Sequence, residues 1–292
     1  MRTIQLLFAV LLSLSCYAQD LAIIDTIKFK CSYEYRYLMD TTVMSNKKYS
    51  RIDILHLQIG SKSSKCFSYR TYQIDSIDAY SEGGILKYNR EIMRKAYNDA
   101  HGDRQLAKRQ IIKTLPARGM TTYVYKNYPD GTTTILDKIF TDYSRYEDDI
   151  NPQEWDLSSD STKSILGYKC QKATCTFRGR EWTAWFALDV PISDGPWKFC
   201  GLPGLIMEVY DRGEQQYFCI NGLQQENETE PMYFGIDGKD VSKFQKVKRT
   251  DLLKLQYDYF RDPDKYRTMT TSISFGFSQE KYVVKYDLIE RE

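Results

Sequence analysis

Cysteine is the residue type in this chain whose number and context most clearly suggest chemistry. Six cysteines follow residue 18, namely Cys31, Cys66, Cys170, Cys175, Cys200 and Cys219. An even count in an exported protein favours disulfide bonds, and the N-terminal residues predict export. A zinc site would need closely spaced pairs such as C-x-x-C, and the sequence has none. We therefore expect at least two disulfide bonds among these six residues.

The cysteine pattern constrains the pairing without deciding it. Cys170 and Cys175 fall on one predicted strand, where five residues span about 16 Å. The Cα atoms of bonded cysteines lie within about 7 Å of each other, so this pair is excluded. Cys31 and Cys66, on neighbouring predicted strands, are one candidate pair.

Neither the histidines nor the acidic residues form a recognisable catalytic or metal-binding pattern. The sequence contains only His56, among alternating strand residues, and His101, beside a glycine; we expect both to be ordinary polar residues. The acidic groups at 148–149, 237–240 and 262–264 lack a complete calcium loop and a recognisable acid–base pair. We therefore expect no catalytic residue, no metal and no cofactor.

The first 18 residues have the pattern of a secretory signal peptide. A basic start at Arg2 precedes an apolar run over 4–14, and Cys16 and Ala18 stand three residues and one residue before the expected cut. Lipidation of Cys16 is the alternative, which Ser13 disfavours. The chain is thus predicted to be exported and periplasmic or outer-membrane associated. No later segment is apolar enough for a transmembrane helix, which needs about 20 such residues.

Residues 19–292 are predicted to form one β-rich domain. Residues 27–39 alternate strictly, with Ile27, Cys31 and several tyrosines on one face. Further strands are expected at 48–59, 65–74, 120–128 and 132–140, and polar loops at 151–163 and 225–230. We expect antiparallel hairpins forming a curved sheet or open barrel; a two-sheet sandwich is the alternative. Because the net charge is only +2, a general nucleic-acid role is excluded.

A helical insert is predicted at about 90–115. His101-Gly102 interrupts the helical pattern, and Asp103 is a good N-cap for a second helix, whose basic side carries Arg104, Lys108, Arg109 and Lys113. Two interpretations stay open, an amphipathic insert packed on the sheet or a basic face for anionic lipid or an acidic partner. A C-terminal helix is expected from Thr250 to about residue 260.

Two hairpins joined by a proline–glycine segment form the most distinctive region. The first pairs 168–177 with 181–187, and the second pairs 205–210 with 215–221. Between them, Leu202-Pro203-Gly204-Leu205 is typical of a type II turn. We expect Trp197 to fold back and plug the end of the sheet, with a role as an exposed contact residue as the alternative.

This region resembles the GLPGLI family of the Bacteroidota. The resemblance rests on about 45 residues and on one motif above all, which comprises Gly195, Pro196, Trp197, Phe199, Gly201, Leu202, Pro203, Gly204, Leu205 and Ile206. It implies a cell-envelope protein of unknown biochemical function. The family has no established catalytic residues, so the resemblance implies none here.

These observations favour an exported, non-enzymatic accessory protein that binds a partner or ligand on its sheet. The expected partner is an outer-membrane or periplasmic protein, or a lipid-like ligand. One alternative is a periplasmic lipid or lipoprotein carrier or sensor, which would need an apolar concavity in an open half-barrel. A second is an envelope hydrolase that uses carboxylates.

Overall fold

The computed structural model describes residues 21–38, 50–139, 141–150, 153–262 and 288–291. The predicted signal peptide lies outside these ranges. The sequence also predicts short strands at 273–277 and 281–288, and all of the first and most of the second lie outside them as well. None of the helices in the described ranges combines the length and hydropathy that crossing a bilayer requires.

Within the described ranges, twelve strands form one sheet that is not closed. They are β1 (Ala22–Leu38), β2 (Ser50–Ile59), β3 (Ser64–Ser68), β4 (Tyr123–Lys126), β5 (Thr132–Ile139), β6 (Asp142–Asp149), β7 (Asp156–Ile165), β8 (Tyr168–Phe177), β9 (Arg180–Ala187), β10 (Leu205–Asp211), β11 (Gln216–Phe234) and β12 (Gln245–Lys246). The order across the sheet is β12-β6-β5-β4-β3-β2-β1-β11-β10-β9-β8-β7. Neighbours are antiparallel except β12 and β6. The prediction of a β-rich fold built from antiparallel hairpins is confirmed.

In the part of the chain that the structure describes, four α-helices accompany the sheet: α1 (Tyr69–Tyr80), α2 (Gly84–Asp99), α3 (Arg104–Thr114) and α4 (Arg249–Arg261). A short 3₁₀ helix covers Val241–Lys243. The break at 101–102 and the cap at Asp103 are confirmed, because the Asp103 carboxylate accepts hydrogen bonds from the amides of Gln105 and Leu106.

Contacts between distant strands show that the sheet curls strongly. Arg178, in the turn between β8 and β9, lies 2.8 Å from Asp148 on β6. β6 and β9 are eight positions apart in the sheet order, and a flat sheet would hold them about 38 Å apart at the usual strand spacing. The twelve strands therefore form an open barrel with β12 and β7 at its two edges.

The barrel interior is packed with large side chains. The buried cluster takes residues from β1, β2, β9 and β11 and from the segment between β9 and β10. Its largest members are Tyr33, Trp182, Phe186, Trp197, Phe199 and Phe218. A smaller cluster on the outer face is built on Phe67, Tyr123 and Tyr125, against which Tyr72 of α1 packs.

Several predicted boundaries are wrong. The strand expected over 65–74 ends at Ser68, whose side chain accepts a hydrogen bond from the amide of Thr71 and so begins α1. The insert therefore runs over 69–114 rather than about 90–115. The loop expected at 151–163 contains most of β7, an edge strand with polar side chains. The loop expected at 225–230 lies inside β11, which pairs with β1. The C-terminal helix begins at Arg249 rather than at Thr250.

Candidate functional site: a charged cavity beside the Pro-Gly loop

The segment between β9 and β10, residues 188–204, runs through the barrel interior; it is called the Pro-Gly loop below. Trp197 and Gly201 adopt left-handed backbone angles, with φ of 51° and 90°. Gly204 does not, so the predicted type II turn at 202–205 is wrong, since that turn needs a left-handed third residue. Glycine is required at 204 for a different reason, because an added Cβ would lie 2.1 Å from the carbonyl oxygen of Ala187.

Side chains from two strands fix the Pro-Gly loop from the inside of the barrel. Lys126 of β4 donates to the carbonyls of Gly195 at 2.6 Å and Phe199 at 3.2 Å, and it forms a buried ion pair with Asp194. On the other side, the Trp197 amide donates to Cys66 Sγ at 3.2 Å. These contacts tie the loop to β3 and β4, although its own ends lie on β9 and β10.

The aromatic residues of the loop are core residues. The ring of Phe199 lies 4.7 Å from that of Trp182 and 5.2 Å from that of Trp197 between centroids. Trp197 is 1% exposed, so its ring plugs the barrel and offers no surface contact. Leu202 of the loop is buried as well, as are Leu205 and Ile206 at the start of β10. These residues stiffen the loop without contacting solvent.

The polar side of the same loop forms one wall of a cavity of about 760 Å³. We call it the charged cavity. The opposite wall comes from the β2–β3 connection, β4, β5 and the end of β6. Its lining includes six basic residues and three aspartates, which are Lys62, Lys126, Arg178, Lys198, Arg249 and Arg291, and Asp148, Asp149 and Asp194. The lining is therefore rich in positive charge.

Lys198 of the Pro-Gly loop is the centre of a buried ion network. Its ammonium lies 2.5 Å from Glu290 Oε1 and 3.0 Å from Asp148 Oδ2, and it donates to the Tyr146 hydroxyl at 2.7 Å. Burial first, and then the nearby Glu290 and Asp148 carboxylates, raise the pKa of Tyr146 well above its usual value. The phenol therefore stays protonated and donates to Glu290 at 3.3 Å.

Two arginines complete the network. Arg178 contacts Asp148 at 2.8 Å, and Arg249 of α4 contacts Glu290 at 3.3 Å. The network thus contains three cations and two carboxylates, so its net charge is +1. Arg178 Nε lies 3.9 Å from Glu290 Oε2, and it and the Ser64 hydroxyl, both of cavity-lining residues, have no hydrogen-bond partner among the described residues. Such groups suit an anionic ligand, whose oxygens accept charge-assisted hydrogen bonds.

The expected disulfide bonds are absent, since all six described cysteines are free. Cys31 and Cys66 share a face, but Leu57 of β2 pairs with both and lies between them. Two strand spacings separate their Cα atoms by about 10 Å, beyond the reach of a disulfide. Burial raises the pKa of Cys31 to about 12 and of Cys66 to about 11. Their thiols are consequently inert at neutral pH.

The remaining candidate groups lie outside the charged cavity or suit no chemistry there. Cys200 lines the cavity, but burial raises the pKa of its thiol. His56 stacks on Tyr69 at 4.6 Å between ring centroids, and His101 lies between α2 and α3. Among the described residues no cluster of three or more histidine, cysteine or acidic side chains could hold a metal ion.

The sequence identifies the Pro-Gly loop but not the charged side chains that surround it in the folded chain. Lys126, Asp148, Arg178, Lys198 and Glu290 come from five separate segments and meet only in the folded chain. One signal was present, because Lys126 follows Val124 at the strand period of two. A lysine on the inward face of a strand indicates a buried charge and hence a partner.

Part of this region matches a known family profile. Residues 177–208 match the profile of a family described as "Protein of unknown function (Porph_ging)". This range contains the whole Pro-Gly loop together with Arg178. No curated protein shows a significant match to the chain.

Among solved structures, two of PNGF-II, in the P21 and C2 space groups, are similar to this chain. Each has a TM-score of 0.46 and 11% sequence identity, and covers 82% of this chain and 34% of the solved chain. The chain therefore spans about a third of the length of the solved protein that it matches.

Proposed function

We propose that this chain is a non-enzymatic binding protein of the cell envelope that holds a small anionic ligand in the charged cavity. One observation carries the proposal: the segment that matches a family profile contributes a buried lysine, Lys198, to a cavity whose basic residues outnumber its acidic ones. An anion placed there would lie beside Arg178 and Ser64, which both line the cavity. The proposal includes two further points, that the chain is a member of the GLPGLI family and that it is exported.

The architecture also favours the binding of a small anion over the transport of a lipid. A carrier needs an open apolar concavity, whereas Trp197 and Phe199 fill the part of the barrel interior beside the charged cavity. The rigid loop suits a preformed site, because a site that needs no reorganisation loses less free energy on binding. The class of ligand that fits is a compact polyanion bearing carboxylate or phosphate groups.

Binding can be measured with defined probes through tryptophan fluorescence. Trp155 donates its indole hydrogen to the carbonyl of Cys200, which lines the cavity, so its emission should report occupancy. We expect citrate or pyrophosphate to change the emission saturably and the neutral sugar trehalose to leave it unchanged. If neither anion binds, the proposal is wrong.

Two variants locate the binding site. Arg178→Gln should weaken binding roughly 10- to 100-fold, the effect of one charge-assisted hydrogen bond. Lys62→Gln removes a charge at the rim of the cavity, where the exposed ammonium has no ion-pair partner among the described residues. This substitution should weaken anion binding less than Arg178→Gln does. The matched control is Arg212→Gln, an exposed arginine on the β10–β11 turn. Equal weakening by the control would place the binding elsewhere.

The non-enzymatic and export parts have their own tests. Mass spectrometry of the recovered probe should find it unchanged, and conversion to a product would support an envelope hydrolase instead. The intact mass of the protein from the native cell should correspond to a chain that begins at Gln19. A chain that retains residues 1–18 would contradict export by cleavage after Ala18.

A further inference from the structure

Helix α2 carries an apolar stripe that faces solvent. Leu86, Met93 and Tyr97 recur at helical spacing and so share one side of the helix, and Leu86 and Tyr97 are 76% and 56% exposed. A different side, which includes Ala96, is buried. The exposed stripe is therefore additional to the face that α2 uses for packing.

Helix α3 repeats this combination. Ile112 is 71% exposed, and at 100° per residue its direction lies between those of Lys108 and Arg109. Leu106 is exposed as well, whereas Ala107 is buried. An exposed isoleucine between two basic side chains contributes nothing evident to the fold.

The two helices also carry a strong excess of positive charge. Residues 84–114 contain eight basic and three acidic residues, which are Lys87, Arg90, Arg94, Lys95, Arg104, Lys108, Arg109 and Lys113, and Glu91, Asp99 and Asp103. Among the described residues only Lys87 of these eight has an ion-pair partner, which is Glu82. The other seven side chains are left to solvent or to a partner.

We propose that the α2–α3 pair docks on the surface of an anionic lipid bilayer. Exposed leucine, isoleucine and tyrosine side chains can enter the boundary between headgroups and acyl chains, while lysine and arginine extend to the anionic headgroups. An acidic protein would satisfy the cations without requiring the apolar stripe. The combination of both features therefore favours a lipid surface.

Vesicle co-sedimentation of the purified chain tests the proposal. We expect binding to vesicles of phosphatidylcholine mixed with phosphatidylglycerol, weaker binding at high salt, and little binding to phosphatidylcholine alone. No binding to the anionic vesicles, or equal binding to both compositions, would overturn it. Thermal unfolding and circular dichroism of each variant check that it is folded.

Two pairs of substitutions separate the contributions. Lys108→Gln with Arg109→Gln should reduce the vesicle partition coefficient about fivefold per charge removed. Leu86→Ser with Ile112→Ser should reduce it by a similar or larger factor, because both side chains lose their insertion. If only the charge pair matters, the protein adsorbs electrostatically without insertion and the proposal is wrong.

Matched controls use similar residues elsewhere on the surface. Leu157→Ser with Leu166→Ser changes two exposed leucines, one on β7 and one in the β7–β8 turn. Lys169→Gln with Arg212→Gln removes two exposed charges, and neither pair should alter partitioning. Arg178→Gln in the charged cavity should also leave it unchanged, so failure of this proposal and failure of the proposed function are distinguishable.

Discussion

At the scale of single residues, position 204 requires glycine because the backbone of Ala187 lies very close to it. A Cβ at this position would lie 2.1 Å from the oxygen and 2.7 Å from the carbon of the Ala187 carbonyl. Backbone atoms of a central strand cannot move aside cheaply, so Gly204→Ala should lower the free energy of unfolding by about 3 kcal/mol. Urea unfolding measures this change.

Gly213→Ala is the matched control for that substitution. The nearest atom to a Cβ there belongs to the flexible side chain of Gln215 at 3.5 Å, so the effect should stay within about 0.5 kcal/mol. Equal urea midpoints for the two alanine variants would mean that the loop can retreat from β9 and that the close contact is not restrictive.

The buried amine of Lys65 predicts that the stability of the fold depends on pH. Its amine is buried among the rings of Phe67, Tyr123 and Tyr125, and burial lowers its pKa from 10.5 to about 8. Between pH 8 and 10.5 the Lys65 amine holds a proton in the unfolded chain that it has released in the folded chain, so the contribution of Lys65 to the unfolding free energy rises with pH across this window. The contribution of Lys65 amounts to about 3 kcal/mol.

The substitution Lys65→Met should remove this rise while keeping the volume of the side chain. Guanidinium unfolding at several values between pH 7 and 11 should therefore show the variant gaining stability relative to the native chain below pH 8. Lys62→Met, three residues earlier and exposed, should keep the native pH profile. A native-like profile for Lys65→Met would show that the buried amine remains charged.

The cysteines show what residue patterns can and cannot predict. Alternation over 27–39 correctly places Cys31 on the buried face of β1. Its distance from Cys66 depends on strand order, because β2 lies between β1 and β3. Strand order follows from contacts far apart in sequence, which a local period of two does not encode.

At the scale of elements, predictions succeeded where a hairpin has a turn signal. The β8–β9 hairpin turns at Arg178 and Gly179, both with left-handed φ, and the sequence predicts it correctly. Helix α1 was missed since residues 69–74 are rich in β-favouring tyrosine and threonine. β7 was missed because an edge strand needs no apolar face, so its polar composition looks like that of a loop.

Ser68 is the residue at which β3 changes into α1. Its hydroxyl accepts from the Thr71 amide at 3.2 Å and donates to Asp53 at 3.0 Å. Ser68→Ala should lower unfolding free energy by about 2 kcal/mol, because it removes a helix cap and a buried hydrogen bond to a carboxylate. Thermal or urea unfolding checks this value, with the exposed Ser61→Ala as control. Identical midpoints for the two variants would mean that water replaces both bonds.

At the scale of the whole molecule, the curled sheet is held across its opening by charge as well as by packing. Glu290, near the C terminus, binds Lys198 of the Pro-Gly loop and Arg249 of α4. The neighbouring residues Leu288 and Ile289 accept hydrogen bonds from the Arg180 guanidinium on β9. Glu290 also accepts a hydrogen bond from Tyr146 on β6, so one short segment links the loop, a helix and strands on both sides of the opening, and its Arg291 lines the charged cavity.

Loss of the Glu290 carboxylate should therefore affect both stability and anion binding. Glu290→Ala leaves the buried ammonium of Lys198 with fewer partners, and breaking a buried pair on one side costs about 3–5 kcal/mol. Glu181→Ala, which breaks the exposed pair with Arg212, should cost under about 1 kcal/mol. Because the excess positive charge then needs an anion, pyrophosphate should raise the thermal midpoint of Glu290→Ala more than that of the native chain. A midpoint that pyrophosphate leaves unchanged in Glu290→Ala would count against an anion site at this network.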